Sequence, residues 1–138
     1  MGKQNSKLKI MIVEDEEDNL ILYKDYLSSK GYDVSSYLTA ENVMTDFNKI
    51  LPDISIIDYR LSGDRTGIDV ATEILRSHPW LPVLFLSAYE PVRNEIRTNI
   101  FLKDKNIQIL TKPVKLADIE GAVLSLVNKS RASYTPYS

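Results

Sequence analysis

The sequence predicts an α/β domain, a doubly wound parallel sheet of five strands with helices on both faces. Two observations predict it. Short apolar runs alternate along the chain with segments whose apolar residues recur at helical spacing. Four of the runs also stop abruptly at a polar or charged residue: Glu14, Asp58, Ser87 and, after Thr111, Lys112.

In chain order, Leu8 to Val13 reads as a first strand that stops at Glu14-Asp15. Asp18 or Asn19 is the expected cap of a first helix, with Leu20, Tyr23 and Leu27 at helical spacing. Gly31 ends it, as glycine does where a left-handed cap is needed. Tyr32 to Leu38 is a more polar second strand, expected at a sheet edge. Thr39 is the expected cap of a second helix carrying Val43, Phe47, Ile50 and Leu51 on one face, and Pro52 stops it.

Ile54 to Asp58 is the central feature: a β-branched run, bounded by Pro52, that ends on one carboxylate. The turn-rich segment Tyr59 to Gly67 follows. Ile68, Ala71, Thr72 and Leu75 then have the spacing of a third helix closed by His78-Pro79. Pro82 to Leu86 is a fourth strand ending on Ser87. Residues 91–103 are expected to form a fourth helix with Val92, Ile96 and Ile100 as its core stripe. Ile107 to Leu110 is the fifth strand, running into Thr111-Lys112-Pro113. Leu116, Ile119, Val123, Leu126 and Val127 give the last helix its stripe.

The 138 residues fit one domain, expected over residues 7–128, with an extension at 1–6 and a polar tail or linker start at 129–138. A composition 43% hydrophobic and 26% charged is that of a soluble globule. A net charge of −2 argues against direct nucleic-acid binding. With no cysteine, disulfides and thiolate metal sites are excluded. No apolar run approaches a membrane span of about 20 residues, so no membrane partner is expected. Gly2 and Ser6 match the myristoylation spacing by chance, and the expected location is cytoplasmic. His78 lies before a proline in a surface turn and is not expected to be catalytic, and Trp80, between two prolines, is read as packing.

With right-handed crossovers and so few strands, the leading order is 2-1-3-4-5, the flavodoxin-like (βα)5 arrangement. It sets Glu14 and Asp15 beside Asp58 at the carboxyl edge, with Ser87 and Lys112 next along it. Three close carboxylates repel and call for a counter-charge. Mg²⁺ supplies one, taking one or two carboxylates and keeping waters for a substrate phosphate. Carboxylates, Mg²⁺, a lysine and a hydroxyl suit phosphoryl transfer, with Asp58 as nucleophile forming an aspartyl-phosphate. Taken singly, the acidic run Glu14 to Asp18 could merely complement a helix N-terminus, and Lys112-Pro113 could be an ordinary loop.

Residues 7–128 resemble a receiver domain of two-component response regulators, on Ile12-Val13-Glu14-Asp15, Ile57-Asp58, Leu86-Ser87-Ala88 and Leu110-Thr111-Lys112-Pro113. The resemblance implies that Asp58 accepts phosphate from a sensor histidine kinase or histidine phosphotransfer protein. It implies that Glu14, Asp15, Asp58 and the Arg60 carbonyl hold Mg²⁺, and that Ser87 and Lys112 contact the phosphoryl oxygens. Such a chain catalyses only its own phosphorylation and dephosphorylation. It signals to a downstream protein target that the sequence does not name, and a homodimer formed on phosphorylation is compatible with the reading.

Three features depart from the family pattern. Ser62 replaces the usual proline four residues after Asp58, and Gly67 comes one residue late. Lys105-Asn106-Ile107-Gln108 replaces the usual Gly-Ala-Asp before the fifth strand. Ile109 occupies the usually aromatic switch position. Two other classes compete. A Mg²⁺-dependent phosphohydrolase-type enzyme is disfavoured because Asp58-Tyr59-Arg60 lacks the second acid of a D-x-D arrangement. The other is a receiver-like interaction module that does not cycle phosphate.

Overall fold

The computed structural model describes residues 7–61, 63 and 65–133. The expectations for residues 1–6, for Ser62 and for the tail from residue 134 lie outside the described residues. Strands and helices alternate as β1 (Lys9–Val13), α1 (Glu17–Ser29), β2 (Asp33–Tyr37), α2 (Val43–Ile50), β3 (Ile54–Asp58), α3 (Gly67–Ser77), β4 (Val83–Ser87), α4 (Val92–Thr98), β5 (Ile107–Thr111) and α5 (Leu116–Ser133). The strands form one parallel sheet in the order β2-β1-β3-β4-β5. The flavodoxin-like (βα)5 arrangement expected from the sequence is the one observed.

Side chains alternate across a strand, and that alternation builds two cores. Ile10, Ile12, Ile54, Ile56, Leu84 and Leu86 face α1 and α5, where they meet Leu20, Tyr23, Leu27, Ile119 and Val123. Met11, Val13, Ile57, Val83 and Phe85 face the other layer, meeting Val43, Phe47, Val70, Ile74 and Val92. β3 and β4 are buried along their whole length, and the edge strands β2 and β5 are mostly half-buried. Burying each large aliphatic side chain contributes about 1.5–3 kcal/mol.

Several local expectations need correction. The cap of α1 is Glu16, not Asp18 or Asn19, and Asn19 instead donates from Nδ2 to Glu16 Oε1. Asn42, not Thr39, precedes α2. Leu51 leaves that helix's apolar face, because it takes the left-handed cap conformation (φ 50°) before Pro52 and is exposed. The buried stripe of α3 runs through Val70 and Ile74 as well as Ala71 and Leu75, and Ile68 is only half-buried. α4 stops at Thr98 rather than Lys103: Asn99 Oδ1 accepts from the N–H groups of Phe101 and Leu102, turning the chain. Ile100 is consequently 85% exposed and no part of the core. α5 continues through Ser133, into the segment read as tail.

Other sequence signals hold. Gly31 has φ 96° and its N–H donates to Ser28 O, closing α1. His78 lies between Phe47 and Trp80, 4.6 and 5.6 Å away by ring centroids. Trp80 packs edge-on against it but stays half exposed.

Candidate functional site

The strand alternation that divides the core also sorts the polar residues at the carboxyl ends. Glu14, Asp58 and Lys112 are in phase with the residues facing α1 and α5, and Ser87 is in phase with those facing α3 and α4. The contacts follow that phase. Lys112 Nζ is 3.1 Å from Asp58 Oδ1 and 3.3 Å from Glu14 Oε1. Lys112 N donates to Ser87 O at 2.9 Å, which fixes the start of its loop to β4, and the Lys112-Pro113 peptide is cis. Lys112 therefore bridges two acids.

Glu14 and Asp58 are buried, and Asp15 is the most open of the three acids. Glu14 is anchored by its backbone, whose N–H donates to Tyr37 O at 3.0 Å, and its Oε2 accepts from Glu16 N at 3.1 Å. Burial, and then the charge of Asp58, push the Glu14 carboxyl up to about 7. Burial also raises Asp58, against the opposing pull of Lys112. Burial pulls Lys112 down, but Asp58 and Glu14 together outweigh it and hold the ammonium above its ordinary range.

One carboxylate oxygen from each of Glu14, Asp15 and Asp58 lies within 4.8 Å of the others. Oxygens around one octahedral Mg²⁺ are about 3–4 Å apart, so this set fits a hard divalent cation after small side-chain adjustments. The donors are all oxygen, with no cysteine in the chain and its one histidine, His78, packed elsewhere. Arg60 follows within two residues of β3 and its side chain is exposed.

Ser87 is buried at the end of β4, and its Oγ accepts from Tyr89 N at 2.8 Å. The hydroxyl also faces Tyr89 O at 3.3 Å. Gly67 explains the loop after Asp58. Its N–H donates to Tyr59 O at 2.7 Å, and a Cβ there would lie 2.4 Å from Asp58 O. Only glycine lets α3 start this close to the strand end. Thr66 and Asp69 form a capping box at the same helix start, Thr66 N to Asp69 Oδ2 at 2.9 Å and Asp69 N to Thr66 Oγ1 at 3.2 Å.

Reasoning from the sequence missed the stacking of Tyr59 on Tyr89 (centroids 5.1 Å apart) and the Arg65–Glu73 ion pair. Tyr59, Tyr89, Arg60, Arg65 and Asp15 together line a cavity of about 450 Å³ beside the acids. The signal for the stack was available: each tyrosine lies within two residues of a strand end, and the two strands are neighbours.

The model of the response regulator receiver domain matches residues 10–124. The chain belongs to that family. This receiver domain is 27% identical over 119 residues to the luminescence regulatory protein LuxO of Vibrio campbellii, covering 86% of this chain and 25% of LuxO. It is 26% identical over 125 residues to the transcriptional regulatory protein TrcR of Mycobacterium tuberculosis, covering 91% of this chain and 47% of TrcR. The receiver domain thus spans about a quarter to a half of the length of these curated relatives. Among solved structures it is similar to a CheY-like receiver domain protein from Methanospirillum hungatei (TM-score 0.81, 20% identity, covering 93% of this chain and 99% of that one). It is also similar to the non-phosphorylated HemR receiver domain from Leptospira biflexa (TM-score 0.75, 26% identity, 88% and 94%). The chain is a receiver domain of the two-component response regulator type, a signalling domain rather than a classical enzyme. Among the described residues no helix is long and apolar enough to cross a membrane.

Proposed function

We propose that this receiver domain accepts a phosphoryl group on Asp58 from a sensor histidine kinase or a histidine phosphotransfer protein. The observation that carries the reading is the Lys112 ammonium, 3.1 Å from Asp58 Oδ1 in a cluster of three acids. A carboxylate oxygen of Asp58 forms the new bond to phosphorus, and the bond to the donor's leaving group breaks with its electron pair. In this reading Lys112, beside Asp58, holds the added negative charge, and Ser87 donates its hydroxyl to a phosphoryl oxygen.

Glu14, Asp15 and Asp58, with the Arg60 carbonyl, are the residues that would hold Mg²⁺. The chemistry gained when the ion is bound is neutralisation of charge between the acids and the incoming phosphoryl group. The domain runs from about residue 7 through the end of α5 and acts in the cytoplasm. It passes its state to a downstream protein, directly or by forming a homodimer, without binding nucleic acid itself.

The test is intact-mass measurement after incubation with acetyl phosphate. A gain of one phosphoryl group that needs Mg²⁺ is expected, lost in Asp58→Asn and when Glu14 and Asp15 are both replaced by Ala. A gain retained in Asp58→Asn, or undiminished in excess chelator, would refute the assignment.

A further inference from the structure

Phosphoryl acceptance makes no use of the aromatic pair beside it. The rings of Tyr59 and Tyr89 lie 5.1 Å apart by centroids and within 12° of parallel, partly buried against the core layer of α2, α3 and α4. The Tyr59 hydroxyl is 3.4 Å from each carboxylate oxygen of Glu95 on α4. The Tyr89 N–H donates to Ser87 Oγ. A continuous line of contacts therefore runs from the Ser87 hydroxyl through Tyr89 and Tyr59 to α4. That helix is short, seven residues, with Val92 and Ile96 as its buried anchors.

We propose that the Tyr59–Tyr89 stack is a latch, tying α4 to the unphosphorylated site and opening when Ser87 is drawn onto a phosphoryl oxygen. The latch rests on the reading that Asp58 is the acceptor. A serine hydroxyl has one hydrogen to give and two lone pairs. Here it accepts from Tyr89 N and faces Tyr89 O, so it is turned toward its own loop. A charge-assisted bond to a phosphoryl oxygen is stronger than these neutral ones and takes the hydroxyl away. The half-buried Tyr89 N–H then loses its acceptor and the peptide moves to find another. The ring moves with its backbone, the stack separates, and Tyr59 no longer holds Glu95. Tyr59 and Tyr89 are thus positioning residues, and they do the work for which Ile109 has no ring.

The experiment compares backbone amide shifts in Mg²⁺ with and without beryllofluoride, alongside intact mass after acetyl phosphate. Parent, Tyr59→Leu, Tyr59→Phe and Glu95→Ala proteins are used. Tyr59→Leu is expected to gain phosphoryl mass like the parent and to keep its shifts at Asp15, Asp58 and Lys112, while the response of residues 92–98 falls by more than half. Tyr59→Phe and Glu95→Ala keep both rings and lose the same hydrogen bond, so both are expected to show one smaller reduction. A response at 92–98 equal to the parent's in all three variants overturns the latch. So does loss of phosphoryl gain in Tyr59→Leu, which would place Tyr59 in acceptance itself. A parent that gains the phosphoryl mass but whose residues 92–98 never shift refutes the latch alone. A parent with no mass gain and no shift at the acids refutes the acceptor reading, and the latch with it.

Discussion

Lys112 Nζ stands 3.1 Å from Asp58 Oδ1, and the same ammonium is 3.3 Å from Glu14 Oε1. One cation therefore serves two acids whose side chains are 7% and 1% exposed. Lys112→Ala removes it and leaves both carboxylates buried without a counter-charge. The Lys112 side chain is itself 22% exposed, which lowers the cost below that of a fully buried pair. A loss of about 1–3 kcal/mol is expected near neutral pH by urea denaturation. Unchanged stability would mean that solvent already neutralises the acids.

Stability without metal should fall as pH rises. Glu14 titrates near 4.5 in the unfolded chain and at about 7 in the folded one. Between those values the folded protein keeps a proton that the unfolded chain has released, so folding takes up a proton and stability falls as pH rises across the window. The contribution of Glu14 is complete below 4.5 and is lost as pH rises through about 7. Asp58, also raised, acts in the same direction. The expected decline is on the order of 3 kcal/mol. It is measured as urea midpoints in chelator at either end of that range. Mg²⁺ should reverse it by favouring the ionised acids, and Glu14→Gln should flatten it. A midpoint that rises with pH in chelator contradicts the sign.

Asp58→Asn tests the crowding from the other side. It removes one of three close negative charges and leaves Glu14 paired with Lys112. In the absence of metal the variant is expected to be no less stable than the parent. A clear drop in its thermal midpoint would show that the Lys112–Asp58 contact outweighs the repulsion among the acids.

The aspartyl-phosphate should be long-lived. Arg60 and Tyr89 lie at the mouth of the site, with the guanidinium 5.9 Å from the ring centroid, and both line the cavity shared with Asp15. Bulk at this position obstructs water approaching in line with the phosphoryl bond. Arg60→Ala combined with Tyr89→Ala should speed dephosphorylation, followed by intact mass in Mg²⁺ without kinase. A rate that is unchanged or slower would remove the argument.

The sheet order was legible because strands alternate with helices and right-handed crossovers join them, an order that brings the carboxyl ends of β1, β3, β4 and β5 to one edge. Glu14, Asp15, Asp58 and Lys112 were legible for the same reason. The direction of each side chain was not read, although strand phase carries it: Asp58 and Lys112 fall on one face and Ser87 on the other. The extent of α4 was misread because Ile100 continues its spacing, while the decisive turn is made by a side chain, Asn99, bonding two backbone N–H groups. Gly67 looked displaced by one residue; its position reflects contact with the Asp58 carbonyl, which no pattern along the chain displays.

Ile109 should be silent in signalling. It is half-buried against the core of α2, α3 and α4, and its backbone also meets α4: Arg93 Nη2 donates to Ile109 O at 3.2 Å. A β-branched side chain is stiff at χ1 and offers little change in buried area by rotating. Ile109→Val retains both the β-branched packing and the carbonyl bonded by Arg93. Allosteric couplings are typically about 1–3 kcal/mol, so loss of the real element would change partner affinity or dimerisation by roughly five-fold or more. Ile109→Val should leave phosphorylation-dependent binding or dimerisation within about two-fold of the parent, whereas Tyr89→Ala should weaken it by the larger factor. Sedimentation of phosphorylated and unphosphorylated protein, with and without the partner, reads both. If Ile109→Val abolishes the response and Tyr89→Ala preserves it, the signal leaves the site through β5 and not through the loop after Ser87.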